Sequence, residues 1–69
     1  MISKKYIKKM EYNCIEDIFN YINESEVNGN FIQVKEMINK LSFNQFKQFM
    51  NYMEELGYNK KWMKFRGYE

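Results

Sequence analysis

Ser42-Phe43-Asn44-Gln45-Phe46-Lys47-Gln48-Phe49-Met50-Asn51-Tyr52-Met53-Glu54-Glu55-Leu56-Gly57 is the stretch whose reading decides the fold. Ser42 followed three residues later by Gln45 has the form of a capping box, in which each side chain satisfies a free backbone N–H at a helix start. Gly57 stands where a left-handed residue closes a helix. Between them, a wheel at about 100° per residue gathers Phe43, Phe46, Phe49, Met50, Tyr52, Met53 and Leu56 on one broad half. Asn44, Lys47, Gln48 and Asn51 occupy the other half, with Glu54 and Glu55 only in the last turn. A helix marked at both ends, apolar on one side, predicts a mainly α-helical domain built around it.

Working towards the N-terminus, Phe31, Val34, Ile38 and Leu41 recur at i, i+3, i+7 and i+10, which predicts a short helix over residues 31–41. Asn30 followed by Gln33 marks its start. Val27-Asn28-Gly29-Asn30 is the clearest break, because Asn-Gly favours the positive-φ turn conformations; it reads as a loop. Ile15, Ile18, Phe19 and Ile22 predict an amphipathic helix to about residue 24, with Asn13 and Glu16 as its capping pair. Ile2, Tyr6, Ile7 and Met10 carry helical spacing through residues 4–12, between pairs of Lys. The sequence leaves open whether these first two segments form one helix.

Beyond Gly57, residues 58–68 fit either a short helix capped by Asn59 or an extended arm. An arm would put Trp62, Lys64 and Arg66 on one face and Met63 and Phe65 on the other. The aromatic content tilts the reading towards the arm.

Composition removes most site chemistry. The 69 residues include no His, one Cys and one Asp, so neither a four-ligand structural zinc site nor an imidazole-dependent nucleophile has its raw material. Gly29, Gly57 and Gly67 are too scattered for a phosphate-cradling loop. The eight Glu lie mostly beside Lys on polar helix faces, where solvated carboxylates are expected. The expectation is a non-enzyme without metal or cofactor.

Cys14 has no partner for an intrachain disulfide and reads as a buried thiol filling space like a small apolar residue. No run of apolar residues is long enough to span a membrane, and the Lys-rich start is not followed by a signal-peptide core, so the expected location is cytoplasmic. Residues 1–69 read as a single small domain, with about 60% of the unfolded surface buried on folding. The wealth of Lys, Asn, Ile, Phe, Tyr and Met, with Ala, Pro, Thr and His absent, follows the codon bias of an A/T-rich genome such as a low-GC bacterium, its phages or its plasmids.

The net charge of +2 conceals an uneven distribution. Residues 1–12 carry four Lys against one Glu, whereas residues 13–30 carry three Glu and Asp17 and no cation. The last twelve residues hold Lys60, Lys61, Lys64 and Arg66 against Glu69. The basic C-terminal end therefore adjoins the helix whose polar half lacks an acid in its first turns. Asn and Gln can bond adenine bidentately and Lys can reach guanine or phosphate, so that half suits the DNA major groove. It also suits an ordinary solvated face, since Asn is common throughout the chain. Two of the three Gln, Gln45 and Gln48, fall in this helix, which favours base reading. Trp62 and Phe65 read either as base-stacking groups or as closure of a small core, with the core favoured for Trp62. Lys4, Lys5, Lys8 and Lys9 read as a phosphate-binding face or, more simply, as the solvated side of their helix.

Helix, second helix, Ser42 turn, third helix and the Leu56-Gly57-Tyr58 exit into a basic arm together resemble a winged helix-turn-helix domain over residues 15–66. The resemblance implies a compact helix-turn-helix or winged-helix-like fold, against the alternative of an all-α bundle of three or four helices. It implies a transcriptional regulator or accessory factor of a phage or mobile element that binds double-stranded DNA. Asn44, Lys47, Gln48 and Asn51 would face the groove, and Lys60, Lys61, Lys64 and Arg66 would be wing or phosphate contacts. The competing function is a small phage-type protein that binds and inhibits a host protein. Six Phe, six Tyr, one Trp and six Met in so small a domain imply some exposed apolar surface. Phe46, Phe49 and Tyr52 are its candidate homodimer patch.

Overall fold

The computed structural model describes residues 1–58, 60 and 62–66. Four α-helices, α1 (Lys4–Lys9), α2 (Ile15–Val27), α3 (Phe31–Lys40) and α4 (Phe43–Glu55), are followed by a 3-10 helix, Trp62–Arg66. The protein is mainly α, with no strand among the described residues. No helix among them is long and apolar enough to cross a membrane.

Local chemistry sets the helix ends. At α4 the Ser42 hydroxyl accepts from Gln45 N–H at 3.1 Å, and Gln45 Oε1 accepts from Ser42 N–H at 2.9 Å, completing the expected capping box. Its far end is a full Schellman turn: Gly57 lies at φ 87°, with Tyr58 N–H donating to Met53 O and Gly57 N–H to Glu54 O. The Asn28-Gly29 break closes α2 in the same way, with Gly29 at φ 77° and Asn30 N–H donating to Ser25 O.

A third such turn separates α1 from α2, and here the left-handed position is Glu11 at φ 64°. Its Cβ meets the following carbonyl in that conformation, a strain that glycine lacks. Glu11→Gly is therefore expected to stabilise the fold by about 1 kcal/mol. Thermal unfolding should show Tm rising by roughly 4–8 °C for a domain of this size.

After that turn, α2 begins one residue later than the Asn13–Glu16 pair predicts. The N-cap is Cys14, whose side chain makes no capping bond. Asp17, rather than Glu16, reaches back to accept from Asn13 N–H at 3.0 Å. Extended backbone at Cys14 (φ −158°, ψ 170°) turns its side chain away from the helix, so the thiol is exposed and does not fill the core.

One apolar cluster joins the helices. Ile18, Phe19 and Ile22 of α2 meet Val34, Met37 and Ile38 of α3 and Phe46, Phe49 and Met53 of α4, with Ile2, Leu41, Trp62 and Phe65 closing it. Phe49 lies at its centre, edge-on to Phe19 (5.4 Å) and Trp62 (4.8 Å) and stacked on Phe46 (6.3 Å). The Cα radius of gyration of 11.3 Å matches the roughly 11 Å expected of a compact chain this long.

The C-terminal arm expected to be extended is helical over Trp62–Arg66. Helical spacing lets Trp62 and Phe65, three residues apart, both bury against the core at 3% and 8% exposure. Alternation would have put them on opposite faces. They pack as core and are not free to stack on bases. The turn is pinned to α3 by Asn39 Nδ2, which donates to Phe65 O at 3.0 Å.

Candidate nucleic-acid interface

Burial of Phe46, Phe49 and Met53 fixes the rotation of α4 and leaves Asn44, Lys47, Gln48 and Asn51 together on its exposed side. These four are brought together as expected. Lys47 Nζ also lies 5.8 Å from the centroid of the Phe43 ring, itself exposed at the edge of the same face. Glu54 and Glu55 remain one turn beyond Asn51.

Gln45 does not belong to this surface. Its Oε1 accepts from Ile2 N–H (3.0 Å) as well as from Ser42 N–H, and its Nε2 donates to Ile2 O (2.6 Å). The side chain stitches the chain's N-terminal segment to the start of α4. The concentration of Gln in this helix thus reflects one structural glutamine and one exposed one.

Among the expected backbone contacts, Arg66 turns inward. Its Nη1 donates to Ile38 O (3.0 Å) and Leu41 O (2.8 Å), carbonyls at the end of α3, and its guanidinium lies 5.2 Å from the Phe46 centroid. A cation at a helix C-terminus satisfies orphan carbonyls and the helix dipole together. Arg66 is a structural cap of α3. Lys60 is ion-paired with Glu26 at the end of α2. Lys64 is exposed, its Nζ 5.1 Å from the Phe65 centroid. Lys61 and the Asn59 cap lie outside the described residues.

The expected homodimer patch is likewise corrected. Phe46 and Phe49 are fully buried, and half-buried Tyr52 donates its hydroxyl to Asn20 Oδ1 at 3.2 Å. Exposed apolar groups do gather elsewhere: Val27, Phe31 and Ile32, at 64%, 54% and 77% exposure, flank the turn between α2 and α3. Phe31, expected in the core, instead stacks on Phe65 at 6.2 Å from the outside.

A groove of about 650 Å³ runs between α1 and the start of α2, lined by Lys4, Lys8, Cys14, Glu16 and Gln45 among others. Tyr12, on its wall, has its phenol pKa raised by burial first, then by neighbouring Tyr21, Tyr6 and Asp17. No family model matches the chain, and no curated protein or solved structure matches it either.

Proposed function

We propose that this chain is a small protein that binds double-stranded DNA through α4, acting as a transcriptional regulator or accessory factor of a phage or mobile element. The observation that carries the reading is the exposed surface formed by Asn44, Lys47, Gln48 and Asn51, three amides and a cation with no acid between them. Amide side chains of this kind bond adenine N6 and N7, and Lys bonds guanine or phosphate. With Arg66 committed to α3 and Lys60 paired, Lys64 is the described C-terminal cation left for backbone contact.

Titration with duplex DNA at several salt concentrations tests the proposal. The expected result is binding that weakens with salt, at a slope near −0.9 in log K against log salt for each phosphate neutralised. Lys47→Gln combined with Gln48→Ala should weaken binding to a preferred site by about 1–3 kcal/mol for each base no longer read, and weaken binding to unrelated sequence less. Absence of binding at low salt contradicts the proposal.

Exposed Val27, Phe31 and Ile32 favour a second reading, in which the protein docks on and inhibits a host protein. That reading expects a stoichiometric complex abolished by Ile32→Asp, with no DNA binding.

A further inference from the structure

The face of α4 presents a single cation, Lys47, which by counterion release would give a salt slope of only about −0.9. Contacts from distant sequence hold further positive charge near the start of α4. Gln45 in the first turn of α4 holds both backbone polar groups of Ile2, and Ile2 is itself buried at 3% exposure. This fixes the chain immediately before α1 against the start of α4. Tyr6 of α1 then packs under Lys40, whose Nζ lies 5.6 Å from the ring centroid. Lys40 is the last residue of α3, three positions before α4 begins.

Tyr6 and Ile7 are the half-buried side of α1, and Lys4, Lys5, Lys8 and Lys9 are all exposed. On a helical wheel these four lysines form one continuous arc opposite that inner side. Lys4 and Lys8 line the groove they share with Glu16. Lys5 and Lys9, one helical turn apart, lie on the part of the arc nearer Tyr6, the residue that touches Lys40. Among the described residues none of these five lysines is in an ion pair. Glu36, one turn before Lys40 on α3, is the nearest acid along that helix. The nearest acid after α1 is Glu11, beyond its end.

We infer that Lys5 and Lys9 of α1, with Lys40 of α3, form a second contact that grips the DNA sugar-phosphate backbone alongside the first turn of α4. The inference rests on the DNA-binding reading of α4 and extends it from base contact to anchorage. Its occupant is the phosphate backbone because the three lysines are exposed, none is ion-paired among the described residues, and Lys40 directly precedes the two-residue link into α4. Four lysines, Lys5, Lys9, Lys40 and Lys47, would together give a salt slope of about −3.6.

The test compares the intact protein with Lys5→Gln/Lys9→Gln by fluorescence anisotropy on a labelled duplex between about 25 and 200 mM salt. The expected result is a slope shallower by about 1.8, with affinity falling equally on all sequences. Lys60→Gln, at a cation already paired with Glu26, should leave the slope unchanged. Far-UV circular dichroism should be the same for all three proteins, because the replaced side chains are exposed. Wild-type binding with an unaltered slope in the double variant overturns the inference and leaves the α4 reading standing. Failure of the wild type to bind any duplex overturns both, as does lysine-dependent binding to anionic vesicles without DNA binding.

Discussion

Phe49→Ala should unfold most of the protein, whereas Phe43→Ala should leave it intact. Both residues belong to α4, and the periodicity of the sequence places both on its apolar half. In the fold Phe49 is fully buried, touching Phe19, Phe46 and Trp62, while Phe43 is 55% exposed. Truncating a buried Phe costs about 3–5 kcal/mol through forfeited transfer energy and the cavity left behind. Each edge-on aromatic pair adds roughly 0.5–1.5 kcal/mol beyond area burial. A domain of this length has only about 3–10 kcal/mol of total stability, so the loss consumes most of it. Urea unfolding should place the Phe49→Ala midpoint near zero denaturant and keep Phe43→Ala within about 0.5 kcal/mol of wild type. Equal effects from the two would mean that α4 is rotated differently about its axis, and the exposed amide face would then not exist as described.

The second large effect is expected from Arg66→Met. This change removes two charge-assisted hydrogen bonds, to Ile38 O and Leu41 O, while keeping most of the stem's apolar bulk. Hydrogen bonds to charged groups contribute about 1.5–3 kcal/mol each, and the two share one guanidinium, so a net loss of about 2–3 kcal/mol is expected. Tm should fall by about 10 °C or more. Lys64→Met, two residues earlier and exposed, should change it little. The pair also separates architecture from binding. If Arg66 contacted phosphate, its replacement would weaken DNA binding and leave Tm unchanged; the cap seen at the end of α3 predicts the reverse order of effects.

The features legible in the sequence are those that local chemistry alone decides. Ser42 and Gln45 cap α4 through bonds spanning three residues, and Gly57 closes it because a left-handed position favours a residue without a side chain. Such features need no knowledge of the rest of the chain. The amide face of α4 is legible for the same reason, since helical periodicity assigns it as soon as the apolar side is known.

Sequence and structure part where a distant partner decides. Residues 58–68 offer both periods; Trp62 and Phe65 adopt the helical one because a pocket formed by α3 and α4 accepts both rings. Gln45 has the chemistry of a base reader, but Ile2, forty-three positions away, occupies its amide. Arg66 has the chemistry of a phosphate contact, but the end of α3 supplies carbonyls for it. Phe31 keeps helical spacing yet is exposed and stacks on Phe65, while Val34 and Ile38 of the same helix are fully buried. At Cys14 the difference is local: it is the N-cap of α2, one residue later than predicted, in extended backbone with its thiol exposed. The lysines of α1 are visible in the sequence as a charged segment, but the placement of that helix depends on distant contacts, Gln45 with Ile2 and Tyr6 with Lys40.

Whether duplex DNA binds on the exposed side of α4 is decided by titrating isotopically labelled protein with a short duplex at low salt and following the amide chemical shifts. The largest shifts are expected at Asn44, Lys47, Gln48 and Asn51, including the side-chain amides, with smaller ones along α1. Shifts confined to Val27, Phe31 and Ile32, or no shifts at all, would rule out α4 as the DNA-binding surface.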